Sequence, residues 1–493
     1  MLASKVASGA LWMVAARLTA KMLDLVAMLI VARLLVPADF GLFALAAGVV
    51  LVLNAATDLS VGNAIIQMRD PQKRAYDTAF TLNVIRGITL AVGIAAAAYP
   101  FAAVYGDPRL RGILFALTAI PLARGLISPR MAHLQRELRF RPMFYLEAGG
   151  KLAAFLASVT VALATHSYWA LVAGMIAAPA ISTVISYRFA PYRPALGLGN
   201  WRQILAFSGW ISLSNAVNML NWQADRFLIG GRLGTGVLGQ YAVGSELASL
   251  PTNAPIMPMI QALYAGFAKL SADLPKLRAA YLTSQCVAMA LALPIAIPIS
   301  VFAYSIVAMA LGPGWSATAF VVQVLAPVFA VQMLTAPAQA IAMAKGRTSS
   351  IFGRDLISLA IRLPLIFAGM YIAGLTGVVW ARVGSGLIVI LLNLLLMKRM
   401  LGTGVVRQVI APWRSYVSGI VLAAFLVWVG DSYSLLSSGN IGNIPELAAV
   451  ILGGLFIYAA THLGLWWINR PVNSAERKLL DAAKLMIWEP RSA

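Results

Sequence analysis

Arg17, Lys21 and Asp24 lie four and three residues apart inside an otherwise apolar run, GALWMVAARLTAKMLDLVAMLIVARLLVP, at 9–37. Positions three and four apart share a helix face, so the three form one charged stripe. A later apolar run carries Ser214, Asn218, Asn221 and Asp225, spaced four, three and four. Arg354, Ser358 and Arg362 are spaced four and four, Asn83 and Arg86 are three apart, and Glu147 and Lys151 form an i,i+4 pair. Such side chains hold ions rather than cleave bonds. A guanidinium matches a phosphate with paired hydrogen bonds. Asn and Ser faces can line a wet path. A buried carboxylate can exchange a proton only if its pKa is raised, and a neighbouring cation works against that.

The residue types needed for bond-making chemistry are scarce. The histidines, His133, His166 and His462, are far apart, and the single cysteine, Cys286, permits neither an internal disulfide nor a Cys-based metal cluster. No metal-ligand cluster, nucleophile elbow or phosphate-binding glycine loop is present in the sequence. No cofactor is implied.

The elements that must position these stripes are membrane helices. The chain has 493 residues, 60% of them hydrophobic and 11% charged, with mean hydropathy +0.82. A soluble protein carries about a quarter charged residues. The chain is therefore a polytopic integral membrane protein of the all-α class, and a soluble enzyme core is excluded. Its net charge is +21, from 38 Lys+Arg against 17 Asp+Glu. The charges are scattered between apolar runs and form no basic arm, which argues against nucleic acid as a partner. The first apolar run is too long and too charged for a cleavable signal.

A spanning helix needs about 20 mostly apolar residues, and about 14 such runs are present. They fall at 9–35, 41–64, 79–104, 112–128, 143–163, 168–187, 204–230, 237–262, 280–303, 317–343, 351–372, 375–397, 413–430 and 445–468. Alternate connections are basic: QMRDPQKRAYD, SPRMAHLQRELRFRP, RFAPYRPALGLGNWR, AGFAKLSADLPKLR, KGRTSSIFGR and KRMLGTGVVRQVIAPWR. The opposite ones, such as VPADF, THSYW, AGLTG and DSYSLLSSGNIGNIPE, carry few or no Lys and Arg. This alternation predicts that both termini are cytoplasmic.

The chain also repeats loosely. The stretch from Ser8 matches that from Ser208, placing Asp24 opposite Asp225, Arg33 opposite Arg232, and FGLFA (40–44) opposite LGQYA (238–242). The repeat predicts two pseudo-symmetric six-helix lobes, 1–195 and 196–400, then two appended helices in 401–470 and a cytoplasmic amphipathic tail in 471–493. Duplicated lobes around a midplane site are an architecture of alternating-access transporters.

Nine basic residues lie within the runs: Arg17, Lys21, Arg33, Arg86, Arg124, Lys151, Arg226, Arg362 and Arg382. Arg33, Arg124 and Arg382 lie near run ends, where long side chains snorkel to the interface. The acids within the runs, Asp24, Asp58, Glu147, Asp225, Glu246 and Asp355, are fewer. Arg17, Arg86 and Arg362 have no local partner in sequence, and a buried cation needs an anion, for which phosphate is a natural candidate. The structural alternatives are that Lys21–Asp24 and Glu147–Lys151 neutralise each other, that acids of other helices meet the remaining cations, and that the Asn and Ser faces only join helices. Prolines interrupt several runs, at Pro251, Pro255, Pro258, Pro294, Pro298, Pro327 and Pro337, as hinges or as ordinary features of membrane helices.

Two segments carry a family resemblance: ARLLVPADFGLFALA (32–46) and NWQADRFLIGGRLGTGVLGQYAVG (221–244). Asp225, Ile229, Gly230, Leu233, Gly234, Leu238, Gly239 and Tyr241 follow a pattern like that of bacterial polysaccharide-export flippases. These form the polysaccharide transport branch of the multidrug/oligosaccharidyl-lipid/polysaccharide flippase superfamily. The resemblance extends over nearly the whole chain in length, topology and repeat. It implies translocation of an undecaprenyl-pyrophosphate-linked oligosaccharide across the bacterial inner membrane by alternating access, for O-antigen, capsule or exopolysaccharide. On that reading Arg17, Lys21, Arg86 and Arg362 hold the pyrophosphate, and Asn83, Ser214, Asn218 and Asn221 line the wet path. Asp24, Asp225 and Glu246 are candidates for coupling to H+ or Na+. Membrane lipids and other polysaccharide-assembly proteins are further candidate partners. The alternatives are a multidrug or other small-molecule exporter of the same superfamily, and a membrane-embedded polysaccharide ligase or polymerase. The chain carries no large external loop on which such an enzyme would place catalysis.

Overall fold

The structure is a computed structural model that describes residues 2–58, 61, 62, 65, 68, 71–137, 139, 141–199, 201–433, 435 and 444–469, with backbone alone at 2–16, 202–212, 214, 250–262, 265, 348 and 469. The amphipathic tail expected at 473–488 lies outside the described residues. Among the described residues every regular element is a helix. In chain order the first ten are α1 (Leu2–Leu34), α2 (Pro37–Ala56), α3 (Lys73–Tyr105), α4 (Arg109–Leu117), α5 (Ala119–Gly125), α6 (Met131–Arg136), α7 (Arg141–Thr165), α8 (Trp169–Phe189), α9 (Trp201–Arg232) and α10 (Gly234–Lys269). There follow α11 (Leu274–Val301), α12 (Ala303–Leu311), α13 (Ser316–Gln332), α14 (Ala336–Ala344), α15 (Thr348–Leu401), α16 (Val405–Ile410), α17 (Trp413–Ser432) and α18 (Ile444–Asn469). Nine helices among the described residues are long and apolar enough to cross a membrane by length and composition.

Each expected run overlaps a helix, but several boundaries move for local reasons. α2 stops at Ala56 although its apolar run continues to 64, because Thr57 turns its hydroxyl back onto the Leu53 carbonyl at 2.9 Å. The expected span 112–128 breaks at Thr118 into α4 and α5. There the Thr118 hydroxyl takes the Phe115 carbonyl at 2.6 Å, and Pro121 has no N–H to offer the preceding turn. The run 317–343 breaks at 333–335, and Pro337 opens α14 instead of kinking a continuous helix. The two runs 351–372 and 375–397 are the arms of α15, which reverses at Ala373 and Gly374. Gly374 has φ +56° and ψ −130°, a conformation that a side chain would strain.

By packing, the chain forms two compact units, Met1–Ala242 and Val243–Ala493. In the first, α7 and α8 form an antiparallel pair, α1 lies along α7, and α9 lies along α2. The linker 190–199 is strapped to the unit. Ser128 donates its hydroxyl to the Ala190 carbonyl at 2.7 Å, and the Gly197 amide donates to the Thr81 hydroxyl at 2.9 Å. Tyr192 donates to Asp77; burial, and then this bond, push its hydroxyl well above the ordinary tyrosine range. In the second unit α11 is central, with α13 and α17 against it and α18 against α17. Its core includes Met289, Leu293, Phe302, Leu334, Leu394, Leu422 and Leu426.

Small residues set the closest helix approaches. A Cβ at Gly41 would overlap the Thr235 carbonyl oxygen, and one at Gly239 would overlap the Pro37 carbonyl oxygen. Thr235 precedes Gly239 by one turn, as Pro37 precedes Gly41. The repeat had aligned FGLFA with LGQYA, so its two equivalent glycines meet each other across a local two-fold relation. Gly41→Ala or Gly239→Ala must push backbone apart, at a cost of about 1–3 kcal/mol. Gly93→Ala, which faces open space within α3, gains about 0.5–1 kcal/mol of helix preference. Thermal unfolding in detergent, followed by size-exclusion chromatography, should show lower midpoints for the first two variants and an equal or higher one for the third.

Candidate functional site

The charged stripe of α1 finds its counter-charge on α7. The Lys151 ammonium sits 2.8 Å from both Asp24 carboxylate oxygens. This replaces the i,i+4 pairing of Lys151 with Glu147, whose side chain is exposed. α1 ends at Leu34 and α7 at Thr165. At about 1.5 Å per residue both partners lie well inside a hydrocarbon layer of about 30 Å. The pair is not sealed: 36% of the Lys151 side chain and 39% of Asp24 remain accessible. Arg17 and Lys21 lie on the same face of α1, both half-buried. The cluster Arg17, Lys21, Lys151 and Asp24 thus carries three cations against one carboxylate.

Arg86 is placed differently. Its guanidinium donates to the Asn54 carbonyl at 2.8 Å and to the Thr57 hydroxyl at 3.3 Å. The Asn54 amide in turn donates to the Val50 carbonyl at 2.9 Å. A helix C-terminus leaves carbonyls without partners and carries partial negative charge, so a cation there satisfies both. Arg86 has no local partner in sequence because its partner is the end of α2. The α2 helix measures about 30 Å, so Arg86 lies at one edge of the span, shallower than its position in the run suggested. Asn83, half-buried, lies one turn before Arg86 on α3.

The polar stripe of α9 is only partly buried. Asn218 is exposed and Asn221 buried, and the side chain of Ser214 lies outside the described residues. Asp225 is 2% exposed and receives the Tyr241 hydroxyl at 2.6 Å. The first and last residues of the resemblance pattern therefore touch. Between them, Ile229 and Leu238 are fully buried, and Gly230 admits the Leu45 side chain. The pattern is a packing device that closes α9, α10 and α2 on one another. Beside it, Arg226 donates to the Gln223 side chain at 3.2 Å.

In the second unit Arg362 is 5% exposed, and Glu246 is half-buried. Near the start of α15, Arg354 pairs with Asp355 at 2.6 Å and donates to Asn393 at 2.8 Å. Asn393 continues the chain to the Thr335 hydroxyl at 3.3 Å. Arg382 stacks over Phe329 with its guanidinium carbon 5.7 Å from the ring centroid. Neither Lys151 nor Asn393 is assigned its partner by the sequence, and Tyr241 enters only as the last residue of the resemblance pattern. Each acts across helices, and Lys151 carried a hint, as a cation inside an apolar run.

The Asp24–Lys151 pair yields a direct test. Lys151→Gln leaves a carboxylate uncompensated at membrane depth, worth about 2–3 kcal/mol on insertion scales. Asp24→Asn alone leaves the ammonium in the same position. The double variant removes both charges. Each single variant should unfold at a lower temperature than the parent, and the double variant should recover most of the loss.

Comparison with known proteins places the chain in a family. The family described as "Polysaccharide biosynthesis protein" matches residues 30–320. The chain is 26% identical over 444 residues to the lipopolysaccharide biosynthesis protein WzxC of Escherichia coli K12, covering 85% of this chain and 89% of that one. It is 25% identical over 332 residues to the teichuronic acid biosynthesis protein TuaB of Bacillus subtilis 168, covering 66% and 68%. Among solved structures, the lipid II flippase MurJ in an inward closed conformation matches with a TM-score of 0.70 at 11% identity, over 90% of this chain and 97% of that one. An inward-facing multidrug-resistance transporter of the MOP superfamily matches with a TM-score of 0.55 at 16% identity, over 78% and 98%. These likenesses establish the fold as that of polytopic transporters of the MOP type. The match over residues 30–320 settles the family: this chain belongs to the polysaccharide biosynthesis protein family.

Proposed function

We propose that the chain is a flippase that moves an undecaprenyl-pyrophosphate-linked oligosaccharide across the bacterial inner membrane, for O-antigen, capsule or exopolysaccharide assembly. The observation that carries this reading is the α1–α7 cluster. Three cations and one carboxylate stand at membrane depth, and the central ion pair remains partly accessible. A pyrophosphate is strongly anionic and suits such a surplus. The lipid tail stays in the bilayer while the glycan follows the polar faces. WzxC is named for lipopolysaccharide biosynthesis and MurJ as a lipid II flippase, which supports the same class of cargo. The chain is a transporter on this reading, and no reacting group is needed.

In this proposal transport is by alternating access, both termini are cytoplasmic, and 401–470 follows the repeat halves 1–195 and 196–400. Arg17, Lys21 and Arg362 are the cations proposed for the pyrophosphate. Asp24 serves as a structural counter-ion, because the Lys151 ammonium already donates to both of its carboxylate oxygens. Asp225, which accepts from Tyr241, and Glu246 remain the candidates for coupling. A drug exporter for cations would need an acidic pocket, and the α1–α7 cluster has the opposite sign.

The test is transport by the purified protein in liposomes, with a fluorescent undecaprenyl-pyrophosphate oligosaccharide as cargo. The parent should move the lipid between leaflets, and folded Arg17→Ala and Arg362→Ala variants should each slow it at least tenfold, as expected when a charge-assisted hydrogen bond is lost. Transport unchanged in both would remove the cations from the mechanism.

A further inference from the structure

A pair of guanidinium groups sits where α2 ends. α3 and α5 touch through two glycines. A Cβ at Gly87 would come within 2.6 Å of the Pro121 carbonyl oxygen, and one at Gly125 within 2.8 Å of the Asn83 carbonyl oxygen. Arg86 precedes the first glycine and Arg124 precedes the second, so this close seam sets the two arginines side by side. Asp58, two residues beyond α2, attracts both charges, and the two guanidinium groups repel each other. Their roles differ. Arg86 is half-buried and engaged with the end of α2. Arg124 is exposed, and among the described residues no hydrogen bond to its side chain is recorded. The main chain beneath it is fixed, since the Thr183 hydroxyl donates to the Ala123 carbonyl at 2.7 Å. Arg124 therefore presents a rigidly based guanidinium whose donors meet no partner among the described residues.

The depth of this pair gives it a use. Pro37 opens α2 on the side where the connections carry few basic residues, and Ala56 ends it on the basic side. A helix of this length spans the hydrocarbon once, so Arg86 and Arg124 stand at the cytoplasmic head-group level. Two guanidinium groups against one carboxylate at that level match a phosphate-bearing lipid. The geometry points to Arg86 and Arg124 as a capture site for a polyprenyl pyrophosphate at the cytoplasmic membrane surface, occupied before the head group reaches the α1 stripe. Arg86 anchors the site to α2, and Arg124 supplies the contact to the ligand. This rests on the flippase reading and adds to it a site outside the α1–α7 cluster.

The experiment uses the full chain in detergent micelles and titrates two probes: undecaprenyl pyrophosphate without glycan, and phosphatidylglycerol. Arg124→Gln is the informative variant, because Arg124 holds no helix end and its loss spares the fold; its unfolding temperature should match the parent's. Arg124→Gln is expected to weaken undecaprenyl pyrophosphate about tenfold or more, the scale of a lost charge-assisted contact, and to leave phosphatidylglycerol unchanged. Arg124→Lys should recover part of the loss. Equal affinity of Arg124→Gln and parent for undecaprenyl pyrophosphate would overturn the capture site while leaving the flippase reading intact. An equal loss for both probes would also overturn it, making Arg124 an anchor for bulk anionic lipid. A parent that binds no undecaprenyl pyrophosphate would overturn both readings together.

Discussion

Hydrocarbon offers nothing to a hydrogen bond, and the architecture answers to that constraint throughout. Several helix breaks and charges among the described residues are met by a specific neighbour. The end of α2 is met by Arg86. The break at 333–335 exposes the Leu334 carbonyl, and Gln285 of α11 donates to it at 2.9 Å. Asn393 reaches the Thr335 hydroxyl beside the same break. Asp24 is met by Lys151 and Asp225 by Tyr241. Each partner comes from another helix, so the polar groups dictate which helices must be adjacent and in which register.

Close helix approach makes those contacts possible. The Gly41–Gly239 meeting and the paired glycines of α15, Gly369 and Gly377, bring backbones together where a side chain would hold them apart. Lipid gives helices no hydrophobic reason to associate, so packing at small residues and polar contacts must hold them.

The sequence displayed the helical class plainly, because apolar length and the alternation of basic connections are one-dimensional properties. It also displayed the stripe of α1 and the repeat, whose aligned glycines turned out to touch. It offered Glu147 as one partner for Lys151, since a helix's own spacing sets the two four residues apart, while the partner, Asp24, is distant in the chain. It overestimated the depth of Arg86 because the apolar run of α3 does not reveal that α2 ends beside it. It treated Arg124 as a residue that merely snorkels, because nothing in the chain shows that Gly87 and Gly125 set it beside Arg86. Spacing reveals which residues share a face; it does not reveal which faces meet.

The central claim is that the anionic head group of a lipid carrier is what the intramembrane cations recognise. The most direct measurement compares leaflet-to-leaflet transport, in liposomes containing the purified protein, of one oligosaccharide attached to undecaprenyl through a pyrophosphate or through an uncharged ether. The account predicts transport of the pyrophosphate form and little or none of the ether, with inorganic pyrophosphate on the cytoplasmic side competing. Equal transport of both forms would contradict it and would assign recognition to the glycan or the tail instead.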